Sequence, residues 1–367
     1  MILFNETQLK ILREIWLKGK TTMLDISNSL KIDRSNVSRN LKVLRKSGLV
    51  YYSDEPPIKN SLGRSPFMLK FNYKFAYSIG ITVTENFIIA LLMDLSFKTI
   101  RRKILYKKIT EKSIVEDVMA SISFFSKYLK QVLFISISFP EPVDDEKGLI
   151  LSSGIFPIED LYLKKIIEER LKIDVHLEND ANAGAIYNYY IRNGSYKYIN
   201  FMFLSFNITS HVVESIQGNG IILNCTIYKG AHHFAGELPI ITTVITQNKD
   251  EFIDIWKFKE FLRKEENSQI LEQYIENYSN IASLIINFLD PELFVFGGYT
   301  ELFPDAALKL LINRTKERII DDPRRKIKVE VDKGGLENIA KGSAMAFMNK
   351  ILGDFELASR LFSKVIA

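Results

Sequence analysis

Cysteine is almost missing from this chain: Cys225 is the only one in 367 residues. A lone thiol excludes an intrachain disulfide and any all-cysteine zinc site. Long apolar runs are missing too. No stretch approaches the roughly 20 residues that a bilayer-spanning helix needs, so no membrane partner is expected. The opening MILFNETQLK holds no extended apolar segment of the kind a secretory signal carries. Together these absences predict a protein of the reducing cytoplasm. What is present, 47% hydrophobic and 25% charged residues, describes a globular chain. Its length predicts two or three domains.

Charge is unevenly placed. Residues 1–70 carry 13 Lys and Arg against 6 Asp and Glu, whereas residues 71–367 carry 36 against 38. The overall +5 is therefore a property of the N-terminus. A small basic unit in front of a large, nearly neutral one points to a polyanionic partner for the small one.

The first seventy residues read as three helices and two strands. Asn5 and Gln8 have the spacing of a capping box that opens a helix through about Leu17, with Leu9, Leu12 and Trp16 as its apolar stripe and Gly19 as its stop. Thr22 is placed to cap a second helix, with Leu24, Ile26 and Leu30 expected inside. Asp33 is placed to cap a third that stops at Gly48. That third helix buries Val37, Leu41 and Leu44, spaced i, i+4, i+7. Its other face offers Arg34, Ser35, Asn36, Arg39 and Lys42. LVYY (49–52) and FMLKF (67–71) then read as strands around a loop with three prolines.

Three helices and a two-stranded wing form a winged helix-turn-helix, in which one helix face packs and the other reads DNA. The side chains suit double-stranded operator DNA. Asn36 matches an adenine edge, Arg34 or Arg39 a guanine or a phosphate, and Arg64 on the wing a minor groove.

From about Tyr77 strands alternate with helices, which predicts an α/β fold. Strands are expected at SIGITVT, FIIALLMDL, KTIRRKILYKKI, VLFISISF, VHLEND and YINFMFLSF. Helices are expected at about 112–130, 159–172, 180–193, 268–289, 305–319 and 336–352. A set of three antiparallel strands followed by helix-crossover strands recurs, the second time as YINFMFLSF, SHVVESI and GIILNCTIYKG followed by LFVFGG. Two like halves fit a two-lobed, actin-like or sugar-kinase-like domain with a cleft between the lobes. The expected boundaries are a winged helix over 1–72 and the two-lobed domain over 73–367.

Several of these segments carry a family resemblance. GRSP (63–66), VLFISISFPEPVDDEKGLILSSG (132–154), VHLENDANAGAIYNYY (175–190), GIILNCTIYKGAHHFAGE (220–237), LFVFGGYT (293–300) and GSAMAF (342–347) stand in the order found in ROK proteins, a family of repressors, open reading frames and kinases. The chain resembles the branch of transcriptional regulators, since the sugar kinases usually lack the winged helix. The resemblance implies a sugar-responsive regulator, more commonly a repressor, acting as a homodimer or higher homo-oligomer.

It also implies site residues. Asn179 and Asp180 match the pair that bonds sugar hydroxyls in the family. Glu237 matches the sugar-binding glutamate of the Ala-Gly-Glu element, and His232 and His233, a few residues earlier, are candidates to reach the same pocket. Taken alone, Asp180 would equally cap the next helix. The family's usual Ile-Gly-His after that glutamate is replaced by Leu238, Pro239 and Ile240. The family's Cys-x-Cys zinc loop has no counterpart in 240–258, which lack Cys and His, so no metal is expected.

Kinase chemistry needs glycine-rich turns to cradle ATP phosphates and a carboxylate for Mg²⁺. The family's Asp-x-Gly-Gly-Thr turn reads Thr82, Val83, Thr84, Glu85, Asn86 here. The second phosphate turn reads ESIQGNG (214–220), and Gly297 and Gly298 match a third element. No catalytic residue and no cofactor are expected. Two alternatives stay open: a sugar kinase with a winged-helix appendage, and a constitutive DNA-binding protein whose sugar domain serves only as a dimerisation scaffold.

Overall fold

The computed structural model describes residues 3–53, 67–151, 160–208, 212–245 and 255–366. Arg64, GRSP and most of the wing loop lie outside these residues.

The chain opens with α1 (Glu6–Lys18), β1 (Lys20–Thr22), α2 (Met23–Leu30), α3 (Arg34–Lys46), β2 (Val50–Tyr52) and β3 (Met68–Phe71). The helix starts follow from their caps. The Asn5 side chain accepts from the Gln8 amide while Gln8 reaches back to the Asn5 amide, and Thr22 and Asp25 repeat the arrangement on α2. Asp33 Oδ1 accepts from the Asn36 amide at 2.8 Å and opens α3. The short β1, missed in the sequence, joins β3 and β2 in one antiparallel sheet. Leu24 is a correction: it is exposed, while Ile26 is fully buried and Leu30, half-buried, packs against the core.

The first lobe is a five-stranded sheet. Its strands are β4 (Tyr77–Val83), β5 (Phe87–Asp94), β6 (Thr99–Tyr106), β7 (Val132–Phe139) and β10 (Val175–Asn179), in the order β10-β7-β4-β5-β6. α4 (Ile114–Ser123) and α5 (Leu163–Leu171) cover its outer face. The helix expected over 112–130 breaks at Phe124, and its second half is a 3₁₀ turn, Ser126–Gln131. A small hairpin, β8 (Val143–Asp144) and β9 (Leu149–Ile150), follows β7.

α6 (Asp180–Tyr190) leads into the second lobe. There the sheet runs β13-β12-β11-β15-β16, with β14 also on β12. The strands are β11 (Ile199–Ile208), β12 (Val212–Leu223), β13 (Thr226–Ile227), β14 (Leu238–Ile245), β15 (Leu293–Gly298) and β16 (Lys328–Val331). Both lobes thus place an antiparallel meander beside two parallel crossover strands. SHVVESI and GIIL are not separate strands but one, β12. Gly218 and Gly220 lie inside it rather than in a turn, because α6 presses on that face: a Cβ on Gly220 would meet the Ala181 carbonyl oxygen at 2.1 Å.

The remaining helices are α7 (Ile255–Arg263), α8 (Ser268–Leu289), α9 (Asp305–Glu317), α10 (Gly335–Ile351) and α11 (Phe355–Ile366). α7 and α11 were not anticipated. Among the described residues no helix is long and apolar enough to cross a membrane.

One buried cluster runs unbroken from the N-terminal helices into the second lobe. Its junction is α1. Trp16 Nε1 donates to the Leu95 carbonyl at 3.1 Å, and its ring meets Phe97 edge-on at 6.0 Å and Tyr190, at the end of α6, at 5.6 Å. Phe4 packs on Phe362 of α11 and donates its amide to Ser359 at 2.9 Å, and Arg13 donates to Asn349 at the end of α10.

Candidate functional site

On α3, Val37, Leu41 and Leu44 are buried, so the opposite face turns outward with exposed Arg34, Ser35, Arg39, Lys42, Arg45 and Lys46. Ser35 donates its hydroxyl to Asp33, which employs it in the cap. Asn36 is half-buried, and its side-chain oxygen accepts from Asn40 Nδ2 at 2.7 Å, so its amide nitrogen is the end left to donate. Asn40 thereby orients Asn36 from the buried side, a role the sequence reading did not assign. Arg45 was also missed: its guanidinium lies over the Tyr52 ring at 4.1 Å, tying the end of α3 to the wing.

The second site lies between the lobes. β7 and β10 run parallel, so Asn179 lies beside Phe139 and next to the loop carrying Glu141. Asn179 Oδ1 accepts from the Asn182 amide at 3.1 Å and caps α6, while its Nδ2 donates to the Glu141 carbonyl at 3.3 Å. The cap is therefore Asn179, which leaves Asp180 for another task. Asp180 is buried in the first turn and accepts from the Ala181 amide at 2.6 Å. Burial, with Glu237 and Glu141 nearby, holds its carboxyl well above the usual range. Glu237, from the second lobe, is pushed up to about 7 by the removal of water around its carboxyl and by Glu141. The residue as a whole is nonetheless exposed, so its carboxyl stays within reach of solvent. The structure thus brings Asp180 and Glu237 together and adds Glu141. Its signal was the carboxylate at a strand end in SFPEP.

His233 sits elsewhere in the cleft. It adopts a left-handed backbone (φ 65°), and its charge contribution falls on Asp144 of the β8–β9 hairpin. Beside it Lys229 crosses between the lobes, with Nζ 2.7 Å from Asp145 and 3.1 Å from Glu178. Burial alone would raise Glu178, but Lys229 and His176 hold it down to about 2. Glu178 also accepts from the Asn179 amide, so this ion pair anchors the turn that carries Asp180.

Residues 82–86 are tied into β4 and the turn that follows it. Thr82 hydrogen-bonds Ser138 and the Leu336 carbonyl, and Thr84 closes a tight turn by donating to the Phe87 carbonyl at 2.8 Å. Tyr299, directly after Gly298, is buried near Thr84 and packed edge-on to Phe87 and Phe203. Gly297 has a packing reason of its own, since a Cβ there would strike the Phe201 ring at 2.0 Å. Where a second phosphate turn was expected, β11 and β12 continue as an unbroken ladder.

Comparison with known proteins agrees with this architecture. A ROK family profile matches residues 78–242 and a winged helix-turn-helix DNA-binding profile matches residues 4–51. The chain is 25% identical over 324 residues to a xylose repressor of Staphylococcus xylosus, covering 82% of this chain and 81% of that one. It is 27% identical over 237 residues to the xylose repressor of Bacillus subtilis, spanning 59% of that protein. Among solved structures, a ROK family transcriptional regulator, a homolog of the E. coli MLC protein, superposes with a TM-score of 0.71 at 15% identity over 97% of this chain and 98% of that one. A ROK family glucokinase from Streptomyces griseus superposes with a TM-score of 0.55 at 18% identity, over 74% of this chain and 99% of that one. Residues 78–242 form a ROK family domain, with a winged helix-turn-helix over residues 4–51 in front of it.

Proposed function

We propose that this protein is a sugar-responsive, DNA-binding repressor whose winged helix, residues 1–72, holds operator DNA and whose two-lobed domain, residues 73–367, takes a sugar in its cleft. The observation that carries the proposal is a helix with an exposed basic face, in a winged helix whose α1 packs directly onto a kinase-like domain in which Asp180, Glu141 and Glu237 gather between the lobes. Arg34, Arg39, Lys42 and Arg64 supply charge for phosphates, and Asn36, with Ser35 at the helix start, meets base edges. Asn179, Asp180 and Glu237 receive sugar hydroxyls, and His233 stands on the facing loop. The names of the relatives make xylose the first sugar to try.

The domain is a sensor rather than an enzyme in this proposal. Phosphoryl transfer requires ATP phosphates against open backbone. Here Thr84, Phe87 and Tyr299 fill the matching space with side chains. A coupled assay with ATP and a panel of pentoses and hexoses should give no turnover. A rate of about 1 per second or faster, in the ordinary kinase range, would refute this point.

The test of the whole is selection of fragmented genomic DNA on the purified chain at about 0.15 M salt, where non-specific phosphate binding is weak. Recovery of a few palindromic sites that xylose releases is the expected result. Bulk, salt-sensitive binding without site enrichment, with and without sugar, would overturn it.

A further inference from the structure

The first lobe carries a cationic strip that neither α3 nor the sugar cleft uses. Residues 98–112, which span β6, hold seven Lys or Arg and one Glu. Outside that strip, residues 71–367 hold 29 Lys and Arg against 37 Asp and Glu. Net positive charge is thus concentrated in residues 1–70 and in this strip, and the rest of the chain, taken together, is acidic. The two basic stretches adjoin. Trp16 of α1 donates to the Leu95 carbonyl and packs on Phe97, and β6 leaves the same turn two residues later. β6 is also the last strand in the order β10-β7-β4-β5-β6, so it forms an edge of the sheet.

Part of the strip is neutralised within the chain. Arg102 pairs with Glu337 at 2.8 Å, Lys107 pairs with Asp117 at 2.7 Å, and Lys108 Nζ lies 3.9 Å from Glu85. Arg101 and Lys103 are held differently. Arg101 lies over the Tyr128 ring at 5.5 Å, and Lys103 over the Phe124 ring at 5.4 Å. A ring face orients a cation without cancelling its charge. Tyr128 belongs to the 3₁₀ turn Ser126–Gln131, which adds the exposed Lys127 and Lys130. Among the described residues none of these four cations has a carboxylate partner. The arginines near the end of α9 make the contrast: Arg314, Arg318, Arg324 and Arg325 are each paired with a carboxylate.

Charges on an edge strand commonly serve to keep two edges from pairing. That accounts for cations on β6 itself. It does not account for Lys127 and Lys130, which lie off the edge, or for the rings placed under Arg101 and Lys103. A basic surface left unneutralised favours a polyanion, with counterion release as the driving force. We propose that this edge of the first lobe is a second DNA-contact surface, which takes phosphates of the duplex beyond the stretch that the winged helix covers. The inference deepens the repressor proposal and rests on it. The contact adds affinity and no sequence preference, since it meets backbone rather than base edges. Operator affinity therefore depends on the length of duplex that flanks the site.

The test compares two duplexes that carry the same site recovered by the genomic selection. One is trimmed to about 20 base pairs, and one is extended to about 60, roughly two more helical turns on each side. Binding of the full chain is titrated at several salt concentrations for wild type, Arg101→Gln/Lys103→Gln and Lys127→Gln/Lys130→Gln. On the long duplex each double variant should lower the salt slope by about two per bound chain, one for each phosphate contact removed. On the short duplex the variants should match wild type, and so should their sugar binding and thermal unfolding. Lys127 and Lys130 are exposed, so folding is not at stake in the second variant, which decides if the first misfolds. Folded variants that keep the wild-type slope on the long duplex overturn the proposal; the strip would then serve an acidic protein or no partner. A slope lowered equally on both duplexes overturns it too, since that reports the general field of the protein and not a contact with flanking DNA. A wild type that binds neither duplex removes the repressor and this surface together, whereas the first two failures leave the repressor standing.

Discussion

The recognition helix and the cleft are both built from charged side chains, yet they handle them in opposite ways. On α3 the cations stand in water, held only by a buried stripe on the reverse face. In the cleft Asp180 and Glu141 are buried while Glu237 keeps an exposed surface, and loss of water around the carboxyls with mutual repulsion raises Asp180 and Glu237. The difference matches the ligands. Exposed cations gain by releasing counterions from a polyanion and need little preorganisation. Crowded carboxylates gain from a neutral polyol, whose hydroxyls donate to them without bringing further negative charge.

The contrast can be broken first at the junction. Trp16→Ala removes the side chain that ties α1 to Leu95, Phe97 and Tyr190, and should cost about 3–5 kcal/mol, as deletions of large buried aromatics do. Chemical denaturation measures it; a loss below about 1 kcal/mol would mean that α1 only rests on the domain. Asp180→Ala should weaken sugar binding about 10- to 100-fold, the worth of a charge-assisted hydrogen bond, and leave DNA binding without sugar intact. Calorimetry with xylose checks this, and an unchanged affinity would move the pocket elsewhere.

Arg39→Ala should act on the other side alone. It should weaken operator binding about tenfold and lower the salt slope by about one, with sugar binding unaltered. Titrations at several salt concentrations decide it. The smallest effect sharpens the acidic half. Folding moves Glu237 from its ordinary 4.5 up to about 7, so the folded chain holds that proton more tightly than the unfolded one. Stability should therefore fall as pH rises between these values and level off above. Glu237→Gln should flatten the fall, leaving the part due to Asp180. An identical slope in thermal unfolding would place Glu237 in open solvent.

Much of this was legible in the chain where local chemistry decides. The caps at Asn5, Thr22 and Asp33 mark their helices, and α8 spans the residues its pattern indicates. Legibility failed where a distant element decides. A glycine pair reads as a turn until α6 is seen lying across Gly220. Leu24 reads as core until α2 is seen to turn Ile26 inward and leave Leu24 exposed. In the cleft, Asn179 and Asp180 came from their motif, but Glu141, Lys229 and Tyr299 did not. Each acts across the gap between lobes, and no spacing along the chain records that distance. α11 did carry a signal in Leu357, Ala358, Leu361 and Phe362, all on one helical face.

α6 links the two halves of the contrast more directly than any loop. Its first residue is Asp180, and its last, Tyr190, lies against Trp16, about 15 Å away at 1.5 Å per residue. A helix of that length is a strut with no slack. Whatever tilts its Asp180 end also tilts the floor beneath the winged helix. Under the proposed function, two such winged helices on one palindrome would make the operator a gauge: a sugar would be registered as a misfit between the span of the protein and the pitch of the double helix.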